Sequence, residues 1–269
     1  MRKIFLLLSL FTASFLQAKE FMVGDIKLDI PEPSGMIEIT PEMEEAYKYF
    51  ESLDLTDKDN YYLATYVSID DVKNKKEYIH ICKVLTPKTS LSKDISRNDF
   101  KKAKDAVLSL FSSPDKRIEY INKIRDKQEN LLKDNKFFND ETFQVSRNSI
   151  FTPIINNDNL VMYLLALNLD KNNKIDNNSE LNIVTQLYIK RKILGLKCNW
   201  LNESGDQKVV EENMLSWTNK IISKNEESYY EKILDDIKDT FDSNSKFILF
   251  LLVMLAIKLF REKFGKKNR

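Results

Sequence analysis

The chain has 269 residues, 42 basic and 41 acidic side chains, and 42% apolar residues, a size that suits one domain with a real core plus accessory segments. Charge is unevenly placed: without Arg2, Lys3, Glu262 and the seven bases from Lys246 onward, Lys19–Ser245 keeps 33 bases and 40 acids, about −7. No basic stripe with interleaved aromatics occurs outside the tail, which makes nucleic acid a poor partner, and five glycines leave no room for a phosphate loop.

Met1-Arg-Lys3 followed by apolar Ile4–Leu16 and a small residue at Ala18 predicts a signal peptide over 1–18, cut after Ala18. No cysteine follows it, so a lipid on a mature N-terminal cysteine is excluded. Phe21–Ile30 alternates apolar and polar residues from Val23 onward, as a half-buried strand does. Pro31–Gly35 is a turn and Met36–Ile39 a short strand. Thr40-Pro41 starts a helix with Met43, Ala46, Tyr47, Phe50 and Leu53 on its buried face. Asp54–Asn60 is a polar loop. Tyr61–Ile69 and Tyr78–Leu85 are antiparallel partners joined through a charged turn over Asp70–Lys76.

Ser96-Arg-Asn-Asp99 is a capping box, and Phe100, Ala103, Val107 and Leu110 follow at helical spacing. Ser113-Pro114 ends that helix, and a charged surface helix follows over Asp115–Lys133. Strands are expected at Thr142–Phe151, Leu160–Leu169, Leu181–Ile189 and Ile193–Leu201. Leu160–Leu169 is apolar on both faces, as suits the centre of a doubly covered sheet. Val210, Met214, Trp217 and Ile221 stripe a helix, and Glu226–Phe241 is polar enough to be a stalk.

Phe247–Ile257 is unbroken apolar sequence, and a membrane span needs about 20 residues. A span over 246–264 requires Lys246 and Lys258 to extend their ammonium groups to the interfaces. The basic tail 265–269 then lies in the cytoplasm by the positive-inside rule. The expected fold is α+β: a mainly antiparallel sheet flanked by helices over 19–225, a stalk over 226–245 and a single transmembrane helix.

The chemistry is sparse. Cys82 and Cys198, both in strand-like stretches, are either a disulfide or two buried thiols. They form neither a CxxC pair nor a zinc cluster. His80, the only histidine, shares a strand face with Tyr78 and Cys82, and as a general base it needs a partner that sequence does not reveal. Asp170–Glu180 departs from the calcium-loop pattern at Lys174, Ile175 and Leu181 and reads as a hairpin turn. Asp70-Asp71, Glu211-Glu212 and Asp235-Asp236 read as solvated faces, since helical neighbours point apart. No nucleophile motif occurs. No catalytic, cofactor-binding or metal-ligating residue is therefore assigned, and no cofactor is expected.

Ile30-Pro-Glu-Pro-Ser-Gly-Met36, Tyr62-Leu-Ala-Thr-Tyr-Val67, Lys192-Ile-Leu-Gly-Leu196 and Trp217–Asn225 resemble a loose group of exported bacterial proteins. These combine a signal peptide, one α+β domain and a C-terminal hydrophobic segment. The resemblance implies that architecture and no activity. The expectation is a single-pass protein of a bacterial inner membrane, its bulk periplasmic. It would contact lipid through the C-terminal helix and bind or scaffold another envelope protein. The alternatives are an envelope hydrolase with dispersed residues and a small-ligand or lipid binder.

Overall fold

The computed structural model describes residues 19–55, 57–74, 80–113, 143–145, 150–171, 174–201 and 207–226, with 115–116, 119–120, 122–123 and 126. These form an α+β fold, a large antiparallel sheet flanked by helices. The expected signal peptide, anchor, tail and (apart from Glu226) stalk lie outside the described residues, as does much of the charged helix over Asp115–Lys133. Among the described residues, no helix is long and apolar enough to cross a membrane.

The chain opens with a hairpin, where the sequence predicts one strand. Among the described residues, β1 (Lys19–Val23) and β2 (Ile26–Ile30) pair only with each other, around Gly24 at φ +66°. The apolar positions change parity there. Phe21 and Val23 are odd, Leu28 and Ile30 even, and all four are buried because the reversal returns them to one face. β3 (Met36–Glu38) follows, and Ile39 N–H extends its pairing by donating to Thr65 O at 2.8 Å. That bond keeps the chain on the sheet, so α1 (Glu44–Leu55) starts later than the expected Thr40-Pro41.

β4 (Asn60–Ser68) leads into α2 (Ile69–Asn74), a short helix in place of the expected charged turn, and then into β5 (His80–Pro87). α3 (Lys88–Ser92) and α4 (Arg97–Ser112) follow. The predicted strand over Thr142–Phe151 divides into β6 (Phe143–Val145) and β7 (Ile150–Asn157). β8 (Leu160–Lys171), β9 (Lys174–Ile189) and β10 (Lys192–Leu201) are successive antiparallel strands, and α5 (Gln207–Lys224) closes the described chain. Asp170 pairs with Ile175 and Lys171 with Lys174, so β8 and β9 form the expected hairpin, and Lys174–Glu180 belongs to β9.

The sheet order is β3-β4-β5-β10-β9-β8-β6, with β7 also on β8. β10 therefore occupies the middle, the place expected for Leu160–Leu169. The double burial of that stretch does hold, since Leu160 through Leu165 are all buried. Beside β5, β10 joins the two halves of the chain and sets Cys198 opposite Cys82.

On one face, the β1–β2 hairpin and α5 enclose the main core, with Met214, Trp217 and Ile221 meeting Leu28 and Ile30. Trp217 donates its indole N–H to Pro31 O at 2.6 Å, and Asn225 exchanges two hydrogen bonds with the Asp29 backbone. On the other face, Ala46 and Phe50 of α1 pack on Val67, and Phe100 of α4 packs on Tyr188. The fully buried Lys192 ammonium lies 3.3 Å from Asp25 and 3.2 Å from Asp94, which joins the hairpin turn to the approach to α4.

Candidate functional site

Among the described residues, depressions bring polar and aromatic side chains together at three places: one of about 560 Å³ beside Arg97, Asn159 and Tyr188, and two on the β4–β5 half of the sheet. Of these two the larger, about 460 Å³, runs beside β4. β3 covers β4 only from Tyr66 to Ser68, and Ile39 reaches Thr65. Among the described residues no strand pairs with the outer side of Asn60–Ala64; the Asn60 N–H donates to the Asp57 carboxylate at 3.2 Å, and Tyr61–Ala64 is an open strand edge of the kind to which another chain can add. Tyr47, Phe50 and Glu51 of α1 form one wall and Tyr61, Tyr62 and Leu63 the other, with Lys19 and Lys88 also in the lining.

A β-bulge shapes this edge. Tyr62 pairs with Leu85 and Ala64 with Val84, so Leu63 is an extra residue. Were Leu63 paired in regular register instead, Tyr62 would share a face with Ala64 and Tyr66, which lie in the core beneath α5. The bulge turns Tyr62 to the α1 side instead, where its hydroxyl donates to Asp57 at 3.0 Å. Its ring lies 4.8 Å from the Lys83 ammonium, which is also 5.4 Å from the Phe50 ring. Lys83 pairs with Asp54 at 2.5 Å. Burial pushes the Asp54 carboxyl up against the pull of Lys83, and pushes the Lys83 amine down against the pull of Asp54. In both groups desolvation outweighs attraction. Burial also raises the Tyr62 phenol, reinforced by Asp57.

The second depression, about 270 Å³, lies on the opposite face of the sheet near the start of β5. Ser34, Ser68, Met214, Trp200 and Trp217 line it together with His80 and both half-cystines. Cys82 and Cys198 form a disulfide, which settles the alternatives left by the sequence. The sulfurs belong to directly opposed residues of β5 and β10, and both residues are buried.

His80 has the acid that the sequence did not reveal. Its backbone N–H donates to Asp71 at 3.0 Å, and its Nδ1 lies 3.3 Å from both Asp71 oxygens. Asp70-Asp71 was expected to be a solvated pair. Asp70 is exposed, but Asp71 is 4% exposed and faces the histidine. The rule that neighbours point apart holds, and it is what sends one of them inward. A carboxylate on Nδ1 favours the tautomer that presents Nε2 as a proton acceptor. Among the described residues no hydroxyl hydrogen-bonds the ring, so the arrangement is a base without a poised nucleophile. No group of metal-ligating residues occurs among the described residues.

The sequence left the edge groove, the Asp54–Lys83 pair and the Asp71–His80 contact unseen. One signal was present: Asp71 lies nine residues before His80, just inside a strand reversal. Comparison with protein-family models and with curated proteins finds no match to this chain.

Proposed function

We propose that the chain is an exported, membrane-tethered binding domain that captures an extended segment of another envelope protein along the open edge of β4. The edge itself carries this reading: among the described residues no strand neighbours the outer side of Tyr61–Ala64, which lies in a groove walled by tyrosines and Phe50. Strand addition satisfies such groups, and flanking pockets select alternate side chains. The occupant is a different chain because a bulge and edge lysines, here Leu63 with Lys19 and Lys88, discourage pairing between two copies. The disulfide supports export, since such bonds persist in oxidising compartments. The signal peptide and C-terminal anchor rest on the sequence.

The test is a photo-cross-linking amino acid at Glu51, on the groove wall, in intact cells. The expected result is an adduct to one extended segment of a partner, mapped by mass spectrometry and abolished by Tyr61→Lys. The same probe at Val209, exposed on α5, should give none. Equal adducts from both positions, or an adduct indifferent to Tyr61→Lys, would overturn the proposal.

A further inference from the structure

The disulfide pocket carries a function independent of the edge groove. We infer that Cys82–Cys198 is exchangeable in the folded protein, that small dithiols reach it through this pocket, and that His80 accepts the proton of the incoming thiol. Three placements support this. The sulfur-bearing residues form part of the pocket wall although nearly all of their surface is sealed from solvent. His80 stands two residues before Cys82 on the same strand, and both line the pocket. Asp71, itself buried, holds the imidazole by Nδ1 and leaves Nε2 as the accepting nitrogen.

The exchange follows from thiol chemistry. The attacking species is a thiolate, so a base beside the path raises the reactive fraction. The thiol proton passes to His80 Nε2, the donor sulfur bonds to Cys198, and the S–S bond breaks with its electron pair leaving on Cys82. Cys82 thiolate then lies on the same strand face as the imidazolium that His80 has become, which favours its departure. The donor's second thiol attacks the mixed disulfide, closing the donor's own ring and releasing Cys198. Two electrons pass from the dithiol to the protein, and the two thiol protons end on Cys82 and Cys198. β5 and β10 stay paired by their backbone ladder, so reduction changes the pocket wall and keeps the sheet.

Pocket size sets the donor. About 270 Å³ admits a compact dithiol but not the active-site loop of a folded redox protein.

The experiment measures reduction of the native protein by dithiothreitol, alongside its global unfolding rate. The expected rate exceeds unfolding, rises linearly with dithiol concentration, and is not increased by reduced thioredoxin. His80→Gln should slow it roughly tenfold or more, within the range of general-base effects. Asp71→Asn should change the pH profile of the rate, the mark of a positioning residue. Ser34→Trp, an exposed change at the mouth, should slow reduction with the dyad intact. A wild-type rate that equals unfolding and ignores dithiol concentration would overturn the inference and leave the bond a structural crosslink. So would His80→Gln folding normally and reacting at the wild-type rate.

Discussion

Two of the described glycines hold positive φ, with different consequences. Gly24 sits at +66°, and a Cβ there would lie 2.6 Å from Leu91 O, whereas Gly35 at +76° faces open space. Gly35→Ala should cost about 1–2 kcal/mol, the strain of a left-handed alanine. Gly24→Ala should cost roughly 2–4 kcal/mol, because backbone must also move; urea unfolding of the two variants measures the difference. The Asp54–Lys83 pair offers a second test. Removing one member strands the other, so Asp54→Leu or Lys83→Met alone should cost about 2–4 kcal/mol, below a fully buried pair because both side chains keep some exposure. The double variant should be neutral or more stable. Its pH dependence has a definite sign. Asp54 is raised in the fold, so its contribution is present in acid and lost as pH climbs through the folded value. Lys83 is lowered, so its contribution is present in strong alkali and lost as pH falls through the folded value. At neutral pH both count against the fold, and the gain from the double variant over wild type should shrink toward acid.

Helices with a local cap and a clean stripe were legible in the sequence. Ser96 caps α4 as its spacing predicts, its hydroxyl accepting from Asp99 N–H at 3.0 Å and donating to the Asp99 carboxylate. Ser96→Ala should cost about 1 kcal/mol by thermal or urea unfolding. Val210, Met214, Trp217 and Ile221 are all buried on α5, as their period requires. Strand ends were less legible, because apolar and polar residues alternate on both sides of a reversal. β1 and β2 read as one strand for that reason, although the alternation shifts by one residue at Gly24, which marks the turn. The bulge at Leu63 was also hidden: an inserted residue in a mostly apolar strand leaves no break in hydropathy. The groove depends on it, since Tyr62 would otherwise point to the opposite face.

At the scale of the molecule, pairing between distant strands decides the site, and single-sequence patterns carry no information on it. The α+β class, antiparallel pairing of β4 with β5 and the β8–β9 hairpin could be read from neighbours in sequence. The placement of β10 beside β5, which brings Cys198 to Cys82, could not. That bond spans 116 residues. Converting both cysteines to serine should lower stability by about 4–5 kcal/mol on the loop-entropy account, measured as a lower urea midpoint with a steeper slope, since the uncrosslinked denatured chain exposes more surface. The join between the first hairpin and the last helix has a mechanical consequence. Asn225 binds Asp29 through two hydrogen bonds, and Trp217 binds Pro31 eight residues earlier. A pull on the chain beyond Glu226 therefore enters the fold at Asn225 and loads β2 before it strains the large sheet. Under tension the hairpin should peel away first, and the β4 edge on the large sheet should outlast it.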